Sequence, residues 1–397
     1  MSQAASHDEQ LPASSPGKKG LTTFDFVAGF ILIVGAAILV VRFTRGLAAT
    51  TNLTNDNPWG LWIGFDVMTG VALAAGGFVT SAAVYLFGMK EYTPVVRPAI
   101  LTGFLGYFLV VLGLLADLGR PWRLPYPFIM QAGPTSALFE VSLCVALYLT
   151  TLFVETTPAV FEWLGWKRAR KIVTSLTIAL TIFGLVLSTL HQSTLGALYQ
   201  ITPTKLHPLW YSSYVPIQFF ISAVAAGLSM VIVESGLAHR AFHDQIEITH
   251  EQFERITLGL GKAAAVVLFT YFAVRILALS VEDKWHYLAS PMGAWFLVEL
   301  LGFVVLPAFL FAAGVRERKP LAVRIAAIIT VAGVILNRLN VSWIAFHWYL
   351  PADRRYVPSW MEVWVSVSLV TLGVVAYRWI VRRMPILHDH PEYKGMH

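Results

Sequence analysis

The ionisable residues inside this chain's apolar stretches are few, and they limit the chemistry it can do. Asp66, Glu140, His191, Arg275, Glu299 and Arg338 each lie within a long apolar run or at its end. A charged group in hydrocarbon costs about 2.5–3.5 kcal/mol or more, which makes each a functional suspect by default. Counted inward from the run ends at about 1.5 Å per residue, all six fall in one layer, the outer third of a membrane. Two chemistries compete for them. Ion pairing, for example of Arg338 with Glu299, would lock helices together, and it suits Arg275, Glu299 and Arg338 as well as function does. Asp66 and Glu140 have no matching excess of Arg or Lys in their half of the chain. A carboxylate beside His191 is a natural proton donor–acceptor couple, so function is preferred for these three.

Two outer segments complete the candidate site. Asp117-Leu-Gly-Arg-Pro-Trp-Arg123 places an acid and two arginines, Arg120 among them, around a tight turn. His191-Gln-Ser-Thr-Leu-Gly-Ala-Leu-Tyr199 offers several hydrogen-bonding groups, Gln192 first. A quinone headgroup needs a donor at each carbonyl, an apolar slot for its tail and a proton source. Asp66, His191 and Gln192, flanked by Trp59 and Trp62, could supply these, although tryptophans near run ends also form interfacial belts. Other chemistries find no residues. The single cysteine, Cys144, cannot build a Cys₄ zinc site or hold an iron–sulfur cluster alone and reads as a small buried hydrophobe. None of the eleven histidines is expected deep in a span, so a di-haem cytochrome b is not expected. No P-loop, dinucleotide fingerprint or Cys-x-x-Cys is present.

The elements that must position these groups are membrane helices. Of 397 residues 56% are hydrophobic and 13% charged, with a mean hydropathy of +0.64. A soluble domain carries about 25% charged residues. Runs long enough to span, about 20 residues each, lie at roughly 24–42, 59–87, 97–116, 135–155, 171–191, 214–236, 256–280, 292–314, 320–345 and 359–381. The ninth is interrupted by Asn337, Arg338 and Asn340, and dropping it would move the C-terminus across the membrane. Lys18 and Lys19 could close a signal peptide's n-region, but the run that follows is long enough to span and reads as an uncleaved first helix. When every Lys and Arg is assigned to the nearer run end, 19 of the 29 fall on the side of the N-terminus. Positive charge stays inside, which puts both termini in the cytoplasm. The net charge of +6 belongs to these loops, and no nucleic-acid partner is implied.

A weak internal repeat joins the halves. Ala72-Leu-Ala-Ala-Gly76 in the second run matches Ala223-Val-Ala-Ala-Gly227 in the sixth, and Phe139-Glu140-Val matches Val298-Glu299-Leu in the fourth and eighth. A unit of four helices makes two such units parallel, not inverted. The expected architecture is all-α: a tail at 1–20, a first helix and loop at 21–56, four-helix bundles at 57–212 and 213–348, and a last helix and tail at 349–397.

The ordered set Asn57-Pro-Trp-Gly-Leu-Trp-Ile-Gly-Phe-Asp66, Val96-Arg-Pro-Ala99, Asp117-Leu-Gly-Arg120, Leu138-Phe-Glu140 and His191-Gln-Ser-Thr-Leu-Gly196 resembles the NrfD/polysulfide-reductase membrane-subunit family. It is most similar to that family's ten-helix branch, the HybB-type membrane subunit of nickel–iron hydrogenase. The likeness runs from about 57 to 380 and is strongest from 57 to 211. The resemblance implies a quinone site near the outer face and no bound cofactor besides quinone, with no haem and no iron–sulfur cluster in this chain. It also implies an outer ferredoxin-like iron–sulfur partner fed by the hydrogenase large and small subunits in a bacterial inner membrane. On matching positions, Asp66 and His191 become quinone-site candidates, with Gln192, Trp62, Asp117 and Arg120 beside them, and Glu140 a proton-pathway candidate. The polysulfide-reductase branch has eight helices and this chain has ten, so the ligand set need not carry over intact. The expected activity is transfer of electrons from hydrogen to menaquinone, with a proton path from the cytoplasm past Arg97, Tyr107 and Glu140. Alternatives are the same module serving a sulfur-compound or formate oxidoreductase, a secondary transporter, or a non-catalytic anchor.

Overall fold

The computed structural model describes residues 22–130 and 132–388, so the expected tail at 1–20 lies outside the described residues. Ten helices are long and apolar enough to cross a membrane: α1 Thr23–Arg45, α2 Trp62–Leu86, α3 Lys90–Asp117, α4 Ala137–Leu164, α5 Thr177–Gln200, α6 Val215–Ala241, α7 His250–Val281, α8 Pro291–Arg316, α9 Pro320–Ile344 and α10 Trp360–Val381. The chain is a multi-pass, all-α membrane protein, and no strand occurs among the described residues. Local sequence explains several ends. Thr22 with Asp25, Thr249 with Gln252 and Ser359 with Glu362 form capping boxes at the starts of α1, α7 and α10, satisfying otherwise orphaned backbone N–H groups.

Two expected spans need comment. The ninth is continuous, because its polar residues find partners inside the bundle. The fifth lies further along the chain than expected. Lys167–Ser175 forms a separate short amphipathic helix, and α5 then runs to Gln200. The basic cluster from Lys167 to Lys171 is an inner-face cluster, as its charge suggests, and the expected start of the span at 171 falls inside this short interfacial helix.

α2 to α5 close into one ring of neighbours and α6 to α9 into a second, with α1 and α10 paired alongside α3. The rings meet along α2, α5, α6 and α9. Burial follows: 72% of the apolar window of α2 and 67% of that of α6 are buried, against 17% for α1. At the centre the two copies of the repeat face each other. A Cβ on Gly227 would come within 2.7 Å of the backbone at Ala75 and Gly76. Only small residues allow helices this close. Both described chain ends and the Lys167–Lys171 and Arg316–Lys319 clusters share one face, the basic face. On the opposite face, Leu206 pairs with Phe346, and Trp59 stacks on Phe346 at 5.4 Å, so a small aromatic cap ties the two rings together.

Candidate functional site

The six groups read as one layer divide into three environments. Asp66 sits in a π-helical stretch of α2, Trp62–Thr69, a feature common at functional sites. It is buried, accepts a hydrogen bond from Ser366 Oγ on α10 at 2.6 Å, and packs so tightly on α3 that a Cβ on Gly113 would lie 2.8 Å from its own. Asp66 therefore faces α3 and α10, outside the first ring.

There it stands at one end of an apolar groove of about 720 Å³, bounded by α2, α3, α6 and α10. The lining runs from Leu369 on α10 to Arg382 just past its end, roughly 20 Å at helical rise. Halfway down is Glu234, buried, with one oxygen that has no hydrogen-bond partner and with Thr102 and Tyr377 beside it. Sequence reading missed Glu234, because it lies near the basic end of α6 and counts as an ordinary end residue.

His191, Gln192 and Glu140 belong to the interior of the first ring. Contrary to the expectation that no histidine is deep, His191 lies nine residues inside the end of α5 and is fully buried. Its Nδ1 donates to Leu187 O at 2.6 Å, which leaves Nε2 as an acceptor for the Tyr107 hydroxyl of α3. Tyr148 of α4 packs its ring 4.7 Å from Tyr107 and 5.7 Å from His191. Gln192 donates to Val71 O at 2.9 Å. Glu140, expected five to seven residues deep, lies in the first turn of α4 because the helix begins at Ala137. It is half-buried and accepts from Thr194 Oγ1 at 2.9 Å. No hydrogen bond or shared cavity among the described residues joins His191 to Asp66.

The remaining candidates are structural neighbours of α1 and α10. Trp62 does not line the groove: it is buried, and its Nε1 donates to Glu362 O at 3.1 Å. One carboxylate oxygen of Asp117 is buried without a hydrogen-bond partner, within electrostatic reach of Arg42 and Glu362. Arg42 is itself buried and donates to the carbonyls of Ala116 and Leu118. Arg120 is exposed in the outer loop.

The second ring holds Glu299, Arg275 and Arg338. The expected direct pair of Arg338 with Glu299 is not the one formed. Arg275 Nη2 lies 3.7 Å from Glu299 Oε1, while Arg338 reaches Asn337 at 2.7 Å and Ser222 at 2.9 Å. Glu299 also accepts from Trp210 at 2.7 Å, from Asn337 at 2.8 Å and from Asn340. These partners explain why Asn337, Arg338 and Asn340 can sit in a spanning helix.

At the basic end of the first ring, Arg97 of α3 pairs with Glu162 of α4 at 3.0 Å, and Arg170 joins it at 2.7 Å. Arg97 also lines a cavity of about 200 Å³.

Comparison with known proteins points to one family. A family model for the polysulphide reductase NrfD matches residues 49–344. A protein of Nitratidesulfovibrio vulgaris is 54% identical over 97% of the chain and 99% of its own length. The probable Ni/Fe-hydrogenase 2 b-type cytochrome subunit of Escherichia coli is 30% identical over 98% and 99% of the two chains. The menaquinone reductase integral membrane subunit of N. vulgaris is 26% identical, covering 86% of each.

Proposed function

The chain belongs to the NrfD polysulphide reductase family, and from that premise we propose that it is the quinone-reactive membrane subunit of an oxidoreductase complex. It passes electrons from a nickel–iron hydrogenase, through a ferredoxin-like iron–sulfur partner, to menaquinone in a bacterial inner membrane. The observation that carries this reading is the groove ending at Asp66. Its volume of about 720 Å³ lies in the range of small-molecule sites, its walls suit an isoprenoid tail, and a carboxylate with a serine hydroxyl waits at its outer end.

The basic face is the cytoplasmic one under the positive-inside rule. Protons for the quinol enter there and pass Arg97 to the Tyr107–His191 couple. Beyond that couple stand two carboxylates, neither hydrogen-bonded to it: Glu140, which accepts from Thr194, and Asp66, packed against Gly113, six residues or about 9 Å further along α3. Electrons arriving at the outer face and protons from the inner one make the step electrogenic.

The Escherichia coli relative's name raises the question of haem. Both ring nitrogens of His191, the histidine deep inside a spanning helix among the described residues, are engaged, and His239 and His250 lie in the end turns of α6 and α7, at the basic face. The residues present do not fit an axial pair, and no step is derived through haem.

The test uses the complex purified with its own partners. Asp66→Asn should lower hydrogen-driven reduction of 2,3-dimethyl-1,4-naphthoquinone by roughly a hundredfold, while reduction of benzyl viologen, which bypasses this subunit, stays intact. Unchanged naphthoquinone reduction would remove Asp66 and the groove from the site. A second reading, the same module serving another oxidoreductase, is favoured by the menaquinone reductase relative; nickel in the complex separates the two.

A further inference from the structure

The cavity of about 200 Å³ opens at the basic end of the first ring, and Tyr85, Arg97, Glu155, Arg170, Glu247 and His388 contribute its ionisable groups. Two acids of α4 stand at different depths beside it. Glu162 is held by Arg97 and Arg170. Glu155, two turns further into the membrane, is in no ion pair among the described residues and has Thr181 of α5 as its neighbour.

Above Glu155, the polar groups of the ring interior are incompletely bonded. The Tyr148 hydroxyl and the Ser188 hydroxyl are both buried with no hydrogen-bond partner. A buried polar group without a partner is rare and marks an unseen water more often than a permanent defect. Tyr148 is seven residues from Glu155 on the same helix face, about 10 Å of rise. That is too far for a direct bond and suited to a short file of water. Tyr148 in turn packs on Tyr107 and His191.

We propose that Glu155 is the proton-loading group of this protein: it takes protons from the cavity at the basic face and hands them, through water beside Tyr148 and Ser188, to the Tyr107–His191 couple. The proposal deepens, and rests on, the reading that quinol protons come from that face. Each quinone reduced takes two electrons from the partner subunit and two protons. Glu155 releases one proton at a time inward and is reloaded from water in the cavity, so it ends each cycle unchanged. The cations nearby serve that role: Arg97 and Arg170 are engaged by Glu162, which leaves Glu155 to carry a mobile proton.

The experiment reconstitutes the complex in vesicles, basic face inward, with a pH dye inside, and drives 2,3-dimethyl-1,4-naphthoquinone reduction with hydrogen. Glu155→Gln should slow proton uptake from the interior at least about tenfold, Glu155→Asp should keep most of it, and Tyr148→Phe, which removes one hydroxyl, should slow it too. Infrared difference spectra should lose a protonated-carboxyl band in Glu155→Gln. If an assembled Glu155→Gln complex takes up protons at the normal rate while Tyr107→Phe does not, Glu155 is overturned as the entry and the wider reading stands. If even the unaltered complex draws no protons from the interior, both fall. Should Glu155→Gln fail to assemble, normal uptake in Tyr148→Phe overturns the proposal.

Discussion

The two rings are built alike and wired differently. In the second, Glu299 is surrounded by three donors and an arginine, and the cavity beside it, about 10 Å³, holds no more than one water. In the first, His191 and Tyr107 form a neutral pair flanked by hydroxyls with spare bonding capacity, above an open cavity. An ionic network around a fully bonded carboxylate resists change, although Arg275 Nη2 itself makes no hydrogen bond, because removing one member strands the others. An unsaturated neutral chain can exchange partners, which proton transfer requires. The duplicated frame thus carries a lock in one half and a conductor in the other.

Three variants test that contrast, in falling order of effect. Glu299→Ala should destabilise the protein by about 3–5 kcal/mol, since Arg275 would keep a buried charge without its partner. Thermal unfolding of the detergent-solubilised chain measures it. Replacing both members, Arg275→Met with Glu299→Leu, should cost less than Glu299→Ala alone; equal or larger losses would mean that the network is not a lock. Tyr107→Phe should behave oppositely. Stability should change by about 1 kcal/mol, while naphthoquinone reduction should fall roughly tenfold; a large stability loss with normal turnover would erase the difference between the rings.

The smallest effect concerns the cap that joins them. His207 accepts from Leu209 N at 3.2 Å and is packed among Trp210, Tyr287 and Trp348, and burial pulls its ring from the usual 6.5 down to about 4. The folded cap then binds the proton less readily than the unfolded chain does. Its contribution is complete above about pH 6.5 and is lost as pH falls toward 4, by about 1 kcal/mol over an accessible range. His207→Gln should flatten that part of the melting-temperature profile. An unchanged profile would assign the acid sensitivity elsewhere, His347 in the same cap being the next group, since burial lowers it too.

Ten helices could be read from the chain because each is a long apolar run, and the pairing of four-helix units was visible in the Ala-Ala-Gly repeats. The site was less legible. Depth along a run can be counted, and it placed Asp66 and Glu299 within spans, but it put His191 at a run end, whereas α5 continues nine residues beyond it. The direction in which a side chain points around its helix cannot be counted the same way, because a membrane helix is apolar on nearly every face and lacks the polar stripe that orients a soluble one. Three environments therefore looked like one layer: Asp66 turns toward α10, His191 toward α3 and α4, and Glu299 toward α6, α7 and α9. One signal was available and unused. Glu140, Tyr148, Glu155 and Glu162 recur at intervals of eight, seven and seven residues, which puts them on a single face of α4.

The meeting of Gly76 with Gly227 has a consequence for how this protein can vary. In symmetry terms the contact is isologous, the same patch pressed against its own copy, which is how two-fold dimers associate. Here the two copies share one polypeptide. The seam therefore behaves as a dimer interface that can neither dissociate nor exchange partners, and a side chain added on either glycine meets the other half's backbone or side chains at once. Freed from having to assemble, each half could change its interior independently, provided the seam between them stayed small.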